Sequence, residues 1–238
     1  MTKLEVLRFA TADAVAVAVA EAAVSRILDL QRTHDRLDIA ITGGTVGIKA
    51  LACWANHTDR DAIDYSKLHF WWGDERFVAR DSSDRNFNQA WDALLRHLDV
   101  PATNLHQFPA AGEGLDLEAA AREFESHWLA ENPTISFAFM GMGPDGHVAS
   151  LFPGKDNLGT QAAVIAEHES PKPPPQRLSF SYAAINTWTE IWFTIAGGDK
   201  AEPTAVAFSA DPSVLPVGRI HGTRADIWFI DDAAAASL

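Results

Sequence analysis

Short apolar runs alternate with helical patterns along nearly the whole chain, and this alternation limits the fold more than any other feature. Leu4–Phe9, Leu37–Ile41, Leu68–Trp72 and Ile135–Phe139 read as strands. Between them lie an alanine-rich helix capped by Thr11 and running to about Thr33, and a helix from the Thr42-Gly43-Gly44-Thr45 turn through about Trp54. Further helices are expected over Asn86–Leu98 and Glu118–Leu129. Val17, Val24, Ile27 and Leu28 stand near helical spacing in the first helix. Strand–helix–strand succession implies parallel strands joined by helical crossovers. The expected fold is therefore α/β, a mostly parallel, Rossmann-like sheet with helices on both faces. Leu178–Tyr182, Ile191–Ile195 and Ile227–Ile230 add later strands, and Ala233–Leu238 reads as a fraying end. No internal repeat or long linker divides the 238 residues, so 1–238 is read as one domain.

Composition narrows the partners. Apolar residues at 47% and charged residues at 21% are ordinary for a soluble globular protein. A net charge of −13 argues against nucleic acid, whose phosphates need a basic surface. It leaves room for a small anion, because local cations and helix amides can outweigh a charge that salt screens over ~8–10 Å. The single cysteine, Cys53, sits in an apolar run and reads as a buried small hydrophobe. Nothing resembles a signal peptide, and no run reaches the ~18–20 apolar residues that span a bilayer. A cytoplasmic protein with no membrane partner is expected.

The densest chemistry follows the strand Ile135–Phe139. There Met140-Gly141-Met142-Gly143-Pro144-Asp145-Gly146-His147 forms a glycine-rich turn ending in an acid and a histidine, just where a helical pattern begins. Ligands of open α/β sheets bind at the carboxyl ends of strands. A long loop is expected beyond it, including the stiff Pro173–Pro175.

Three more strand ends carry polar residues. Gly43, Gly44 and Thr45 open a helix, either as a plain turn or as a phosphate cradle of backbone N–H groups. Asp74 and Arg76 form either a solvated turn or a substrate contact, with Asp74 facing hydroxyls and Arg76 an anion. Lys200 falls in a first helical turn, where its charge opposes the macrodipole unless an anion offsets it; an exposed lysine is the alternative. Arg177 is a weaker candidate for the same task. His34, His57, His69, His97, His106, His127, His168 and His221 show no metal spacing such as His-x-x-x-His and read as surface or packed histidines. There is no Gly-x-Ser-x-Gly elbow.

Taken in order, these segments resemble the 6-phosphogluconolactonase family, which shares a superfamily with glucosamine-6-phosphate deaminases. The resemblance rests on Gly43-Gly44-Thr45, Gly73-Asp74-Glu75-Arg76, Asp84-Arg85-Asn86, Gly141 to His147, Ser150-Leu151-Phe152-Pro153, Lys172 to Arg177 and Gly198-Asp199-Lys200-Ala201. Val46-Gly47 and Arg85 depart from its usual pattern. Deaminases resemble Asp-Gly-His-x-Ala-Phe-Asn-Glu-Pro, and Phe152 stands where their glutamate falls. The resemblance implies hydrolysis of a phosphorylated sugar δ-lactone in the oxidative pentose phosphate route. His147 is then the general base, Asp145 orients it or contacts substrate, and Gly43, Gly44, Thr45, Asp74, Arg76, Arg177 and Lys200 bind substrate. No cofactor and no metal are expected. A deaminase/isomerase and a non-enzymatic sugar-phosphate sensor are the alternatives.

Overall fold

In the computed structural model, which describes residues 2–155 and 159–238, the alternation becomes a six-stranded, all-parallel sheet flanked by helices. Its strands are β1 (Lys3–Phe9), β2 (Leu37–Ile41), β3 (Leu68–Trp72), β5 (Ile135–Met140), β8 (Glu190–Ile195) and β9 (Ala225–Asp231), in the order β1-β9-β8-β5-β2-β3. The remaining strands, β4 (Asp74–Arg76), β6 (Val164–Glu167) and β7 (Arg177–Phe180), pair antiparallel as β4-β7-β6. This small sheet holds β4 against β7 at the carboxyl end of β3.

The helices are α1 (Ala12–Gln31), α2 (Thr45–Ala55), α3 (Asn86–Ala93), α4 (Leu117–Glu131), α5 (Tyr182–Ile185) and α6 (Ala201–Ala207). Thr11 caps α1 by accepting the Ala14 N–H at 3.2 Å. Val24 and Ile27 bury as their spacing predicts, whereas Val17 is 45% exposed, because the core face of α1 runs through Val15, Val19 and Ala23. Strand alternation decides which helix each aromatic ring of β3 meets. Phe70 packs on Trp54 of α2 and Trp72 on Phe87 of α3, while Trp71 turns to Phe124 and Trp128 of α4.

Several expectations need correction. The helix expected over Asn86–Leu98 stops at Ala93, and Leu95–His97 forms a 3₁₀ turn. Leu94 and Leu95 are both buried at this break. No helix begins after His147. Gly146 at φ 76° and Ala149 at φ 49° are left-handed, and Val148 bridges Leu151 instead. The expected long loop contains β6, and its residues 156–158 lie outside the described residues. The final residues do not fray: Ala234 and Ala235 are buried, and Asp231 accepts the Ala234 N–H at 2.7 Å. Among the described residues, no helix is long and apolar enough to cross a membrane.

Candidate active site

The turn after β5 is built around its acid and its histidine. The Gly143 N–H donates to the His147 carbonyl at 2.9 Å and the Gly146 N–H to the Gly143 carbonyl at 3.0 Å, which folds the segment back on itself. A Cβ on Gly143 would fall on the His147 ring and the Asp145 carboxylate, so glycine is what lets the two meet. His147 Nδ1–H donates to Asp145 Oδ1 at 2.5 Å. That bond fixes the tautomer, leaving Nε2 as the basic nitrogen. Phe152 packs its ring 4.7 Å from the imidazole.

Burial pushes His147 below the ordinary histidine value of 6.5, against the upward pull of Asp145 and Asp74. Asp145 is raised by its own burial, yet the bond to His147, the charge of His147 and Lys172 together bring it below its ordinary value. The pair therefore rests as carboxylate and neutral imidazole at neutral pH.

Asp74 reaches this site from β4, with both oxygens engaged. Ser150 Oγ–H donates to Oδ2 at 2.6 Å and Asn86 Nδ2–H to Oδ1 at 3.2 Å. Ser150 can turn back to Asp74 because Ala149 adopts the left-handed conformation, an uncommon state for a residue with a Cβ. Asn86 is the first residue of α3, anchored from beneath by buried Glu75. The Glu75 carboxylate accepts the N–H groups of Arg76, Asn86 and Phe87 at 2.7–3.0 Å and lies 3.7 Å from Arg85. Burial raises Glu75, and Arg85 with these N–H groups offsets part of that rise. Arg85 also donates to the carbonyls of Phe108 at 2.7 Å and Pro109 at 3.3 Å. Arg85 thus serves as a buried tie between loops.

Gly44 caps α2 at φ 79° with no side-chain cap, so the Thr45 end of that helix keeps its amides for a ligand. Lys200 ends the 3₁₀ turn after β8 and pairs with Asp199 at 2.6 Å. Arg76 donates Nη1–H to the Asp84 carbonyl at 2.7 Å, and its buried Nε has no partner among the described residues. Arg177 is placed differently. Its guanidinium donates to the carbonyls of Pro174, Lys172 and Pro173 at 2.7–3.2 Å, so it holds the proline loop.

That loop presents Lys172, which no local pattern singled out. Its ammonium lies 3.9 Å from Asp145. Burial lowers its pKa, Asp145 opposes this, and the charges of Lys200 and Arg177 lower it further. Lys172, Lys200 and Arg177 are thus near enough for their charges to act on one another. Ser150 and Asn86 were also unassigned from sequence; both lie inside motifs, but only the fold brings them to Asp74.

A family model for glucosamine-6-phosphate isomerases/6-phosphogluconolactonase matches residues 10–228. The chain belongs to this family. Among its glucosamine-6-phosphate isomerase/6-phosphogluconolactonase relatives is the 6-phosphogluconolactonase of Streptomyces coelicolor, 38% identical over 94% of this chain and 90% of that protein. The 6-phosphogluconolactonase of Mycobacterium leprae is 38% identical over 90% of each. The crystal structure of 6-phosphogluconolactonase from Thermotoga maritima superposes with a TM-score of 0.87 at 23% identity, over 97% of this chain and all of that one, which shows a shared fold.

Proposed function

We infer that this chain is a hydrolase that opens 6-phospho-D-glucono-1,5-lactone to 6-phospho-D-gluconate, the lactone-hydrolysing step of the pentose phosphate pathway. The observation that carries the inference is the Asp145–His147 pair at the carboxyl end of β5, facing Asp74 and a set of cations, in a member of this family.

The chain's own groups divide the work. Neutral His147 Nε2 takes a proton from water as the water oxygen attacks the lactone carbonyl carbon. Asp145 stabilises the imidazolium that forms. When the tetrahedral intermediate collapses, the carbon–ring-oxygen bond breaks, and the imidazolium returns its proton to that oxygen. The balance is one water consumed and one acid with one hydroxyl formed. General acid–base help of this kind supplies about 10²–10⁴-fold.

Lys172, Lys200 and Arg76, with the amides of Gly44 and Thr45, hold the phosphate end, and Asp74 accepts a sugar hydroxyl. Gly43 makes room for Asn86, and Arg177 acts through Lys172 as a positioning residue. Phe152 in place of a carboxylate beside His147 speaks against the multiple proton transfers of a deaminase. A dianionic sugar phosphate does not cross a bilayer unaided, so the proposal includes a cytoplasmic location and one catalytic domain over 1–238.

The test is the rate of ring opening of 6-phosphogluconolactone, followed by proton release against the spontaneous reaction. Saturable acceleration is expected. No acceleration, or ammonia release from glucosamine 6-phosphate in its place, overturns the reading.

A further inference from the structure

Away from the Asp145–His147 pair, a second set of ligating side chains converges where sequence spacing gave no hint. Asp38 and His69 are direct neighbours in the parallel register of β2 and β3. The segment after Leu105 adds His106, whose N–H bonds the Phe70 carbonyl at 2.9 Å. One donor atom from each of Asp38, His69 and His106 lies within 4.8 Å of the other two. His69 Nδ1 and His106 Nε2 are 3.0 Å apart, and His106 Nδ1 is 2.9 Å from His127 Nε2 on α4. His106 also stacks on Trp71, with ring centroids 3.8 Å apart.

We propose that Asp38, His69 and His106 form a divalent-metal site suited to Zn²⁺. Two imidazoles and a carboxylate with an open fourth position are a recognised zinc donor set. Ligands about 2.0–2.1 Å from a tetrahedral ion stand about 3.3 Å apart. The histidine pair is already near that separation, and a carboxylate oxygen of Asp38 lies within 4.8 Å of both.

His106 Nδ1–H donating to His127 leaves Nε2 free for the ion, the arrangement that outer partners of ligating histidines provide. Asp38 accepts from Trp71 at 2.9 Å and from Arg36 at 2.9 Å, and Arg36 in turn pairs with Glu131 at 3.0 Å. Asp38 also lines a cavity of about 460 Å³ together with Arg36 and Glu131. The site lies on the order of 10 Å along β3 from its carboxyl end, so it is separate from the catalytic turn. An ion there ties together β2, the edge strand β3 and the His106 segment, a stabilising role.

Chelator-treated protein titrated with ZnCl₂ and, separately, CoCl₂ near neutral pH tests this by calorimetry, visible absorption and thermal melting. Wild type is expected to bind one equivalent of each at this site, gain Tm with added Zn²⁺ and give the visible bands of four-coordinate Co²⁺. His69→Gln and His106→Gln should lose that equivalent, His127→Ala should weaken it about 10–100-fold, and His147→Ala should keep it. Should His106→Gln not fold, His69→Gln, at the one half-buried position of the edge strand, carries the comparison. Absence of stoichiometric binding by wild type, or an unchanged equivalent in His69→Gln, overturns the proposal.

Discussion

Asn86 occupies the space that a side chain on Gly43 would need: a Cβ there would fall on Asn86 Oδ1. The phosphate-side loop and the Asp74 clamp are thereby fitted to one another, since Asn86 also donates to the Asp74 carbonyl at 2.8 Å. Gly43→Ala should push Asn86 off Asp74. The expected outcome is a loss of about 1–3 kcal/mol in stability, the usual cost of overpacking, together with a fall in kcat/KM. Thermal melting and steady-state kinetics check it, and a variant matching wild type in both would break the link.

Removing the base should be felt in turnover. His147→Ala is expected to lower kcat about 10²–10⁴-fold while binding of the product 6-phosphogluconate changes little. Near wild-type turnover in this variant would exclude His147 as the base.

The pH profile follows from the direction of the His147 shift. The base must be neutral, and burial sets its pKa below 6.5. Activity should therefore be level above that value and fall only as pH drops through the lowered pKa. Asp145 raises His147, so Asp145→Asn should move the acid limb to still lower pH while reducing kcat. An acid limb that moves upward in the variant would contradict the pairing.

Phosphate contacts should appear in the Michaelis constant. Hydrogen bonds to charged groups contribute about 1.5–3 kcal/mol, so Lys172→Ala and Lys200→Ala should each raise KM about 10- to 100-fold with kcat little changed. Loss confined to kcat would reassign either lysine to the reacting end.

The histidine cluster has its own linkage to stability. His106 titrates at about 4 in the folded chain against an ordinary 6.5, so between these values the unfolded chain binds more protons. Its contribution is complete above about 6.5, is lost as pH falls, and levels off below about 4, a change of about 3 kcal/mol. The Tm advantage of wild type over His106→Gln should shrink across that window without added metal.

The central sheet was legible because its strands are short, apolar and buried on both faces, as β2 and β8 show. His147, Asp145 and the glycine loops were legible because their chemistry is local to one turn each. The small antiparallel sheet was not, since β4 is three residues of Asp, Glu and Arg whose pairing with β7 depends on a residue separation of about one hundred. For the same reason Ser150 and Asn86 gave no local sign of their meeting at Asp74. Arg177 shows another limit: an arginine beside prolines advertises charge, and only the fold shows its Nε and Nη2 bonded to carbonyls of its own loop. Sequence left open whether Asp145 serves the histidine or the sugar, and the 2.5 Å bond pairs it with the histidine.

The register of the sheet sets an order of events during synthesis. β1 pairs along its whole length with β9, Lys3 opposite Ala225 through Phe9 opposite Asp231. β1 leaves the ribosome more than two hundred residues before β9 and must wait for it. At about 5–20 residues per second this is a delay of roughly 10–45 s. During that interval β1 is a nascent edge without a neighbour, and its Lys3, Glu5 and Arg8 are charges of the kind that discourage edge-to-edge pairing.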